Sequence, residues 1–113
     1  MKLPHADLAT VSEAKVTRYL LDRAHSAGGR KAVFFLRFGF TVATCQTLAN
    51  ALLQHGRQND VVEQETTRHG TRYAVDGPLA APDGTVLNIR TAWYIDPAGN
   101  APRFVTAHPL PKL

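Results

Sequence analysis

The sequence predicts an α+β domain: three N-terminal helices packed on a four-stranded, mainly antiparallel sheet. Three observations carry that reading. Cys45, Leu48, Ala49, Leu52 and Leu53 recur at helical spacing. Residues 86–95 alternate strictly, with Leu87, Ile89, Thr91, Trp93 and Ile95 on one face and Asn88, Arg90 and Tyr94 on the other. Helical patterns also come first and strand patterns second, and the strands are joined by turns of hairpin length.

The elements follow in order. Thr10-Val-Ser-Glu13 matches a capping box, with Thr10 as N-cap, and opens a helix to Leu21 or Asp22 that turns Val16, Tyr19 and Leu20 inward. The Ala-Gly-Gly run before Arg30 ends it. A Phe-rich second helix covers residues 31–38, with Gly39 placed to stop it. The third begins at Thr41 and closes at Gly56, burying Cys45 against Leu48, Leu52 and the sheet. Residues 61–67 and 71–76 read as strands around an Arg68-His69-Gly70 turn. Pro82-Asp83-Gly84 turns into the strand at 86–95, and Asp96-Pro97-Ala98-Gly99-Asn100 into a last strand at 102–107. Residues 108–113, with two prolines, read as a loosely held tail.

At 113 residues the chain is one domain with one core. Its 44% hydrophobic content argues against disorder. A net charge of +4 mildly favours an anionic partner such as RNA. A single cysteine, Cys45, excludes an internal disulfide and suits a reducing, cytoplasmic setting. The N-terminus has no signal-peptide h-region, and no apolar run is long enough to span a bilayer, so no membrane partner is expected.

Motifs along nearly the whole chain resemble those of a small bacterial domain family of unknown function. These are Leu3-Pro4-His5-Ala6, Tyr19-Leu20-Leu21, His25-Ser26-Ala27-Gly28, Lys31-Ala32, Phe34-Phe35 and Gly39-Phe40 in the first half. In the second half they are Gly70-Thr71-Arg72-Tyr73, Arg90-Thr91-Ala92-Trp93 and Pro102-Arg103-Phe104-Val105-Thr106-Ala107. Ser26 stands where the family pattern has proline. The layout is similar to that of the barnase, EndoU, colicin and RelE group of toxin RNases. The resemblance implies a toxin-like endoribonuclease with RNA (tRNA or mRNA) as substrate and an antitoxin or immunity protein as partner.

A metal-independent RNase needs a base for the ribose 2′-hydroxyl, an acid for the departing 5′-oxygen and cations at the phosphorus; its product is a 2′,3′-cyclic phosphate. The stretch RAHSAGGRKAVFF supplies a histidine, backbone amides near a helix start and two cations before an apolar run. His25 is therefore expected as general acid/base, with Lys31 and Arg90 on the phosphate and Thr91 as a further catalytic candidate. Arg30, Tyr94, Arg103 and Thr106 are expected to bind substrate. By alternation Arg103 and Thr106 fall on opposite faces, so only one can share a surface with Arg90. The bland alternatives are a solvated loop at His25 and an Arg90 paired with Glu63 or Asp76. His55 reads as a cation suited to a helix C-terminus. No metal-ligand spacing is present, and no cofactor is expected. A non-catalytic protein-binding module, or the partner in a toxin–antitoxin pair, is the rival function.

Overall fold

A computed structural model describes residues 1–25 and 29–110. The helical half comprises a 3-10 turn at Ala6–Leu8, α1 at Glu13–Lys15 continuing as a π-turn over Val16–Leu20, α2 at Gly29–Arg37 and α3 at Cys45–Gln58. The sheet is an antiparallel meander, β1 (Val61–Thr67), β2 (Gly70–Ala80), β3 (Val86–Ile95) and β4 (Arg103–Pro109), in spatial order β1-β2-β3-β4. The fold is α+β, with the helices N-terminal to the strands.

The first helix starts differently from the expectation. Ser12 is the N-cap, its hydroxyl accepting from the Lys15 amide at 3.3 Å, while Thr10 pairs in parallel with Arg103 of β4. Drawing Thr10 into that bridge ties the chain's start to the last strand and leaves capping to the next hydroxyl. The helix then widens, and the Leu21 amide reaches the Val16 carbonyl at 2.8 Å. β2 outruns its expected end at Asp76 because β3 continues to pair with it as far as Ala80. Pro78 lies where β2 has a partner on one side only, a position that tolerates a missing N–H. His108 belongs to β4, opposite Arg90, rather than to a tail; residues 111–113 and Ser26, Ala27 and Gly28 lie outside the described residues.

The core joins Val16, Leu20, Phe35, Phe40, Leu48 and Leu52 of the helical half to Val75, Ile89, Trp93 and Phe104 of the sheet. Cys45 is only half-buried, because it is the first residue of α3 and sits at the core's margin. Gly56 does not end α3, which runs to Gln58. Its role is steric: a Cβ there would come within 2.6 Å of the Trp93 ring.

His55, one residue earlier, is 2% exposed and is no surface cation. The Trp93 indole N–H donates to Thr91 Oγ1 at 2.8 Å, leaving the Thr91 hydroxyl to donate to His55 Nδ1 at 3.0 Å. His55 Nε2–H then donates to the carbonyls of Ile89, at 2.9 Å, and Gly77, at 3.1 Å. Acceptors on one nitrogen and a hydroxyl donor on the other fix a neutral ring. Burial pushes its pKa below the ordinary histidine value, against the pull of the two carbonyls and Asp76.

Three outcomes follow. Gly56→Ala, which gains helix propensity of roughly 1 kcal/mol, should still destabilise the domain by about 1–3 kcal/mol in urea unfolding, because the methyl collides with Trp93. Thr91→Val should cost about 1–3 kcal/mol by stranding the indole N–H and the His55 nitrogen. For pH the sign is fixed by the depressed folded pKa. The unfolded chain takes up a proton near pH 6.5 while native His55 stays neutral, so His55's contribution is complete above about pH 6.5 and is lost as pH falls. Urea midpoints measured from pH 7.5 to 5 should show a slope that His55→Gln flattens.

Candidate functional site

Where β4 leaves its contact with Thr10, its free edge meets α2 and the π-turn. Three side chains close a triangle there. Lys31 Nζ donates to Tyr19 Oη at 2.6 Å and to Thr106 Oγ1 at 2.9 Å, and the two hydroxyls lie 2.9 Å apart. The group is part-buried and draws one residue from each of three elements, 12 and 87 positions from Tyr19 along the chain.

His25 packs on this triangle. Its ring meets that of Tyr19 edge-on, with centroids 5.1 Å apart. A turn sets it there: the His25 amide bonds the Asp22 carbonyl at 3.2 Å, and Asp22 Oδ1 accepts from the Ala24 amide at 2.9 Å. The His25 carbonyl accepts from the Gly29 amide at 2.8 Å as α2 begins. Gly29 itself lies so close to the Arg23 carbonyl that a Cβ would approach it to 2.8 Å, which explains a glycine at that spot. α2 then places Lys31 over the Tyr19 ring, with Nζ 5.0 Å from its centroid, and Lys15 Nζ lies 5.3 Å from the same centroid.

The electrostatics favour an ionisable phenol. Burial resists its ionisation, but hydrogen bonds from Lys31 and Thr106 and the charges of Lys31 and Lys15 outweigh it. Its pKa lies below the ordinary tyrosine value.

A bulge in β4 decides what shares the surface. The register shifts between Ala92 and Trp93, so that Trp93 faces Phe104 while Ala92 faces Thr106. Arg103, opposite Tyr94, and Thr106, opposite Ala92, therefore lie on the same face as Arg90. The expected alternation is overturned, since the extra residue re-phases the strand. Thr106 is a diagonal neighbour of Arg90, roughly 7–8 Å away by sheet geometry.

The chain matches, over residues 2–111, the family described as Domain of unknown function (DUF6883). It belongs to that family. Its fold is also similar to a chain of the "Contact-dependent growth inhibition toxin - immunity protein complex from Klebsiella pneumoniae 342". The two share 17% identity over 89% of this chain and 99% of that one, with a TM-score of 0.70. No curated protein matches the sequence.

In this DUF6883 domain the expected site residues separate into groups. His25, Lys31 and Thr106 come together. Arg90 makes the contacts of its bland alternative: a two-pronged pair with Asp76, at 2.7 and 3.0 Å, and a longer one with Glu63, at 3.4 Å. Those carboxylates already oppose its charge. Tyr94 and Arg103 form their own pair, the guanidinium 5.0 Å from the ring centroid and 3.3 Å from Asp96. Arg30 is exposed on α2. Thr91 has no exposed surface and its hydroxyl is committed to the core chain, so it touches no substrate. Among the described residues no three His, Cys, Asp or Glu side chains are grouped to hold a metal, and no helix is long and apolar enough to cross a membrane.

Tyr19 is the residue the sequence reading left among the core positions. Its signal lay in chemistry: a tyrosine turned inward from a short helix needs a partner for its hydroxyl, and Lys31 and Thr106 supply two. Lys31→Met removes a hydrogen bond and a charge that both favour the phenolate. The Tyr19 pKa should rise, read as a shift of the phenolate absorbance in alkaline titration, with the corresponding Tyr19→Phe protein subtracting the other two tyrosines.

Proposed function

We propose that this domain is a toxin-like, RNA-binding endoribonuclease that cleaves without metal and leaves a 2′,3′-cyclic phosphate. One observation carries the reading: a lysine, a phenol and a threonine hydroxyl converge at a sheet edge beside a histidine. His25 serves as the acid/base group, since an imidazole exchanges protons near neutral pH. Lys31 holds the phosphate and stabilises charge developing on it. Thr106 orients the phosphate, and Arg90 is a diagonal neighbour able to reach the flanking backbone if a phosphate displaces one carboxylate. Arg30, Tyr94 and Arg103 offer outlying contacts to RNA, Tyr94 by stacking. The toxin–immunity complex among similar folds, together with the net charge of +4, supports a cognate inhibitor protein as partner.

The rival reading, a non-catalytic binding module, is favoured by the neutralised state of Arg90. The two part in one assay. Purified protein incubated with total cellular RNA in EDTA should yield discrete fragments ending in cyclic phosphate, and His25→Ala should abolish them while shifting the thermal midpoint little. Intact RNA with the wild-type protein, or full cleavage by His25→Ala, contradicts the assignment.

A further inference from the structure

The triangle's hydrogen count sets what it can still donate. An ammonium brings three hydrogens, a phenol one and a threonine hydroxyl one. Each of the three sides uses one of them. One ammonium hydrogen and one hydroxyl hydrogen are left over, enough to donate twice to an acceptor such as a phosphodiester. When the Thr106 hydroxyl donates to Tyr19, the free hydrogen is the phenolic one.

In-line cleavage at phosphorus places the attacking and departing oxygens on opposite sides, so one imidazole cannot serve both at once. A second proton carrier is needed beside His25. His55 is sealed in the core, and His108 turns its Nδ1 to the adjacent Pro109 carbonyl at 3.2 Å. Tyr19 is part-buried, touches His25 through its ring and has its oxygen on Lys31 and Thr106.

We propose that Tyr19 is the catalytic acid, passing its phenolic proton to the 5′-oxygen of the leaving nucleotide. This rests on the RNase reading above. His25 accepts the ribose 2′-hydroxyl proton as the 2′-oxygen–phosphorus bond forms. The phosphorus–5′-oxygen bond breaks, its electron pair stays on the 5′-oxygen, and the Tyr19 proton neutralises it. The resulting phenolate is held by Lys31 and Thr106, the groups that already favour that form. Proton transfer from solvent to tyrosine and from imidazolium to solvent restores both residues.

The test compares two substrates: an RNA dinucleotide, whose alkoxide leaving group requires an acid, and the nucleoside 3′-(4-nitrophenyl phosphate), whose leaving group requires none. Tyr19→Phe keeps the ring against His25 and should slow dinucleotide cleavage by roughly 10²–10⁴-fold. Its kcat on the nitrophenyl ester should fall at least tenfold less than on the dinucleotide, the lost phosphate contact appearing as a KM rise common to both substrates, and the nitrophenol released certifies the fold. An equal loss on both substrates overturns the acid role, as does a substrate-selective loss in His108→Ala but not in Tyr19→Phe. Wild-type protein that turns over neither substrate overturns the RNase reading, and the acid role with it; turnover of both with Tyr19→Phe unimpaired overturns the acid role alone.

Discussion

The rest of the structure hangs on the seating of Trp93 against Gly56. A bare glycine lets α3 approach the indole to contact distance, and the neighbouring His55 then reaches the sheet. From there one chain of hydrogen bonds runs from Trp93 through Thr91 and His55 to the carbonyls of Ile89 and Gly77. The chain spans α3, β2 and β3 and leaves no buried side-chain polar atom unpartnered among the described residues. A fully satisfied network of this kind admits one arrangement of helix on sheet.

That fixed seating positions the edge where chemistry is possible. Val16 and Leu20 from the π-turn and Phe35 from α2 enter the same core as Trp93 and Phe104, which holds the two short helical segments against β4. Their polar residues, Tyr19 and Lys31, then overhang the sheet's free edge. The bulge in β4 completes the arrangement by keeping Phe104 and Ala107 inward while Thr106 turns to meet them. Without the extra residue Phe104 and Thr106 would fall on one face of the strand.

Much of this was legible in the chain. The hairpin at Arg68-His69 and the limits of β1 and β3 follow from alternation and turn chemistry, and the apolar stripe of α3 marks its buried face. What escaped depends on contacts distant in sequence. Thr10 looks like a helix cap until its pairing with Arg103 is known. Gly56 reads as a helix stop because nothing local reveals Trp93 above it. His55 reads as a surface cation because its partners lie 22 to 36 positions away. At the site, His25, Lys31 and Thr106 were visible as residue types suited to phosphate chemistry. Their union through Tyr19 was hidden by a bulge that no alternation rule anticipates. His5 is a further position whose backbone the sequence does not reveal. Its φ of 53° is left-handed, a conformation to which His, Asn and Asp are better suited than most side chains.

The candidate chemistry is therefore confined to one small centre. Arg90 guards the adjacent sheet face in ion pairs, and Tyr94 with Arg103 occupies the next ladder step. The most direct measurement is a crystal structure of the domain with a 2′-O-methyl RNA dinucleotide, which binds but lacks the attacking hydroxyl. Its phosphate should lie on Lys31, Tyr19 and Thr106, with the 2′-oxygen facing His25 and the 5′-oxygen facing Tyr19. A dinucleotide lying along Arg90 and Tyr94 with the triangle untouched, or no dinucleotide bound at saturating concentration, contradicts it.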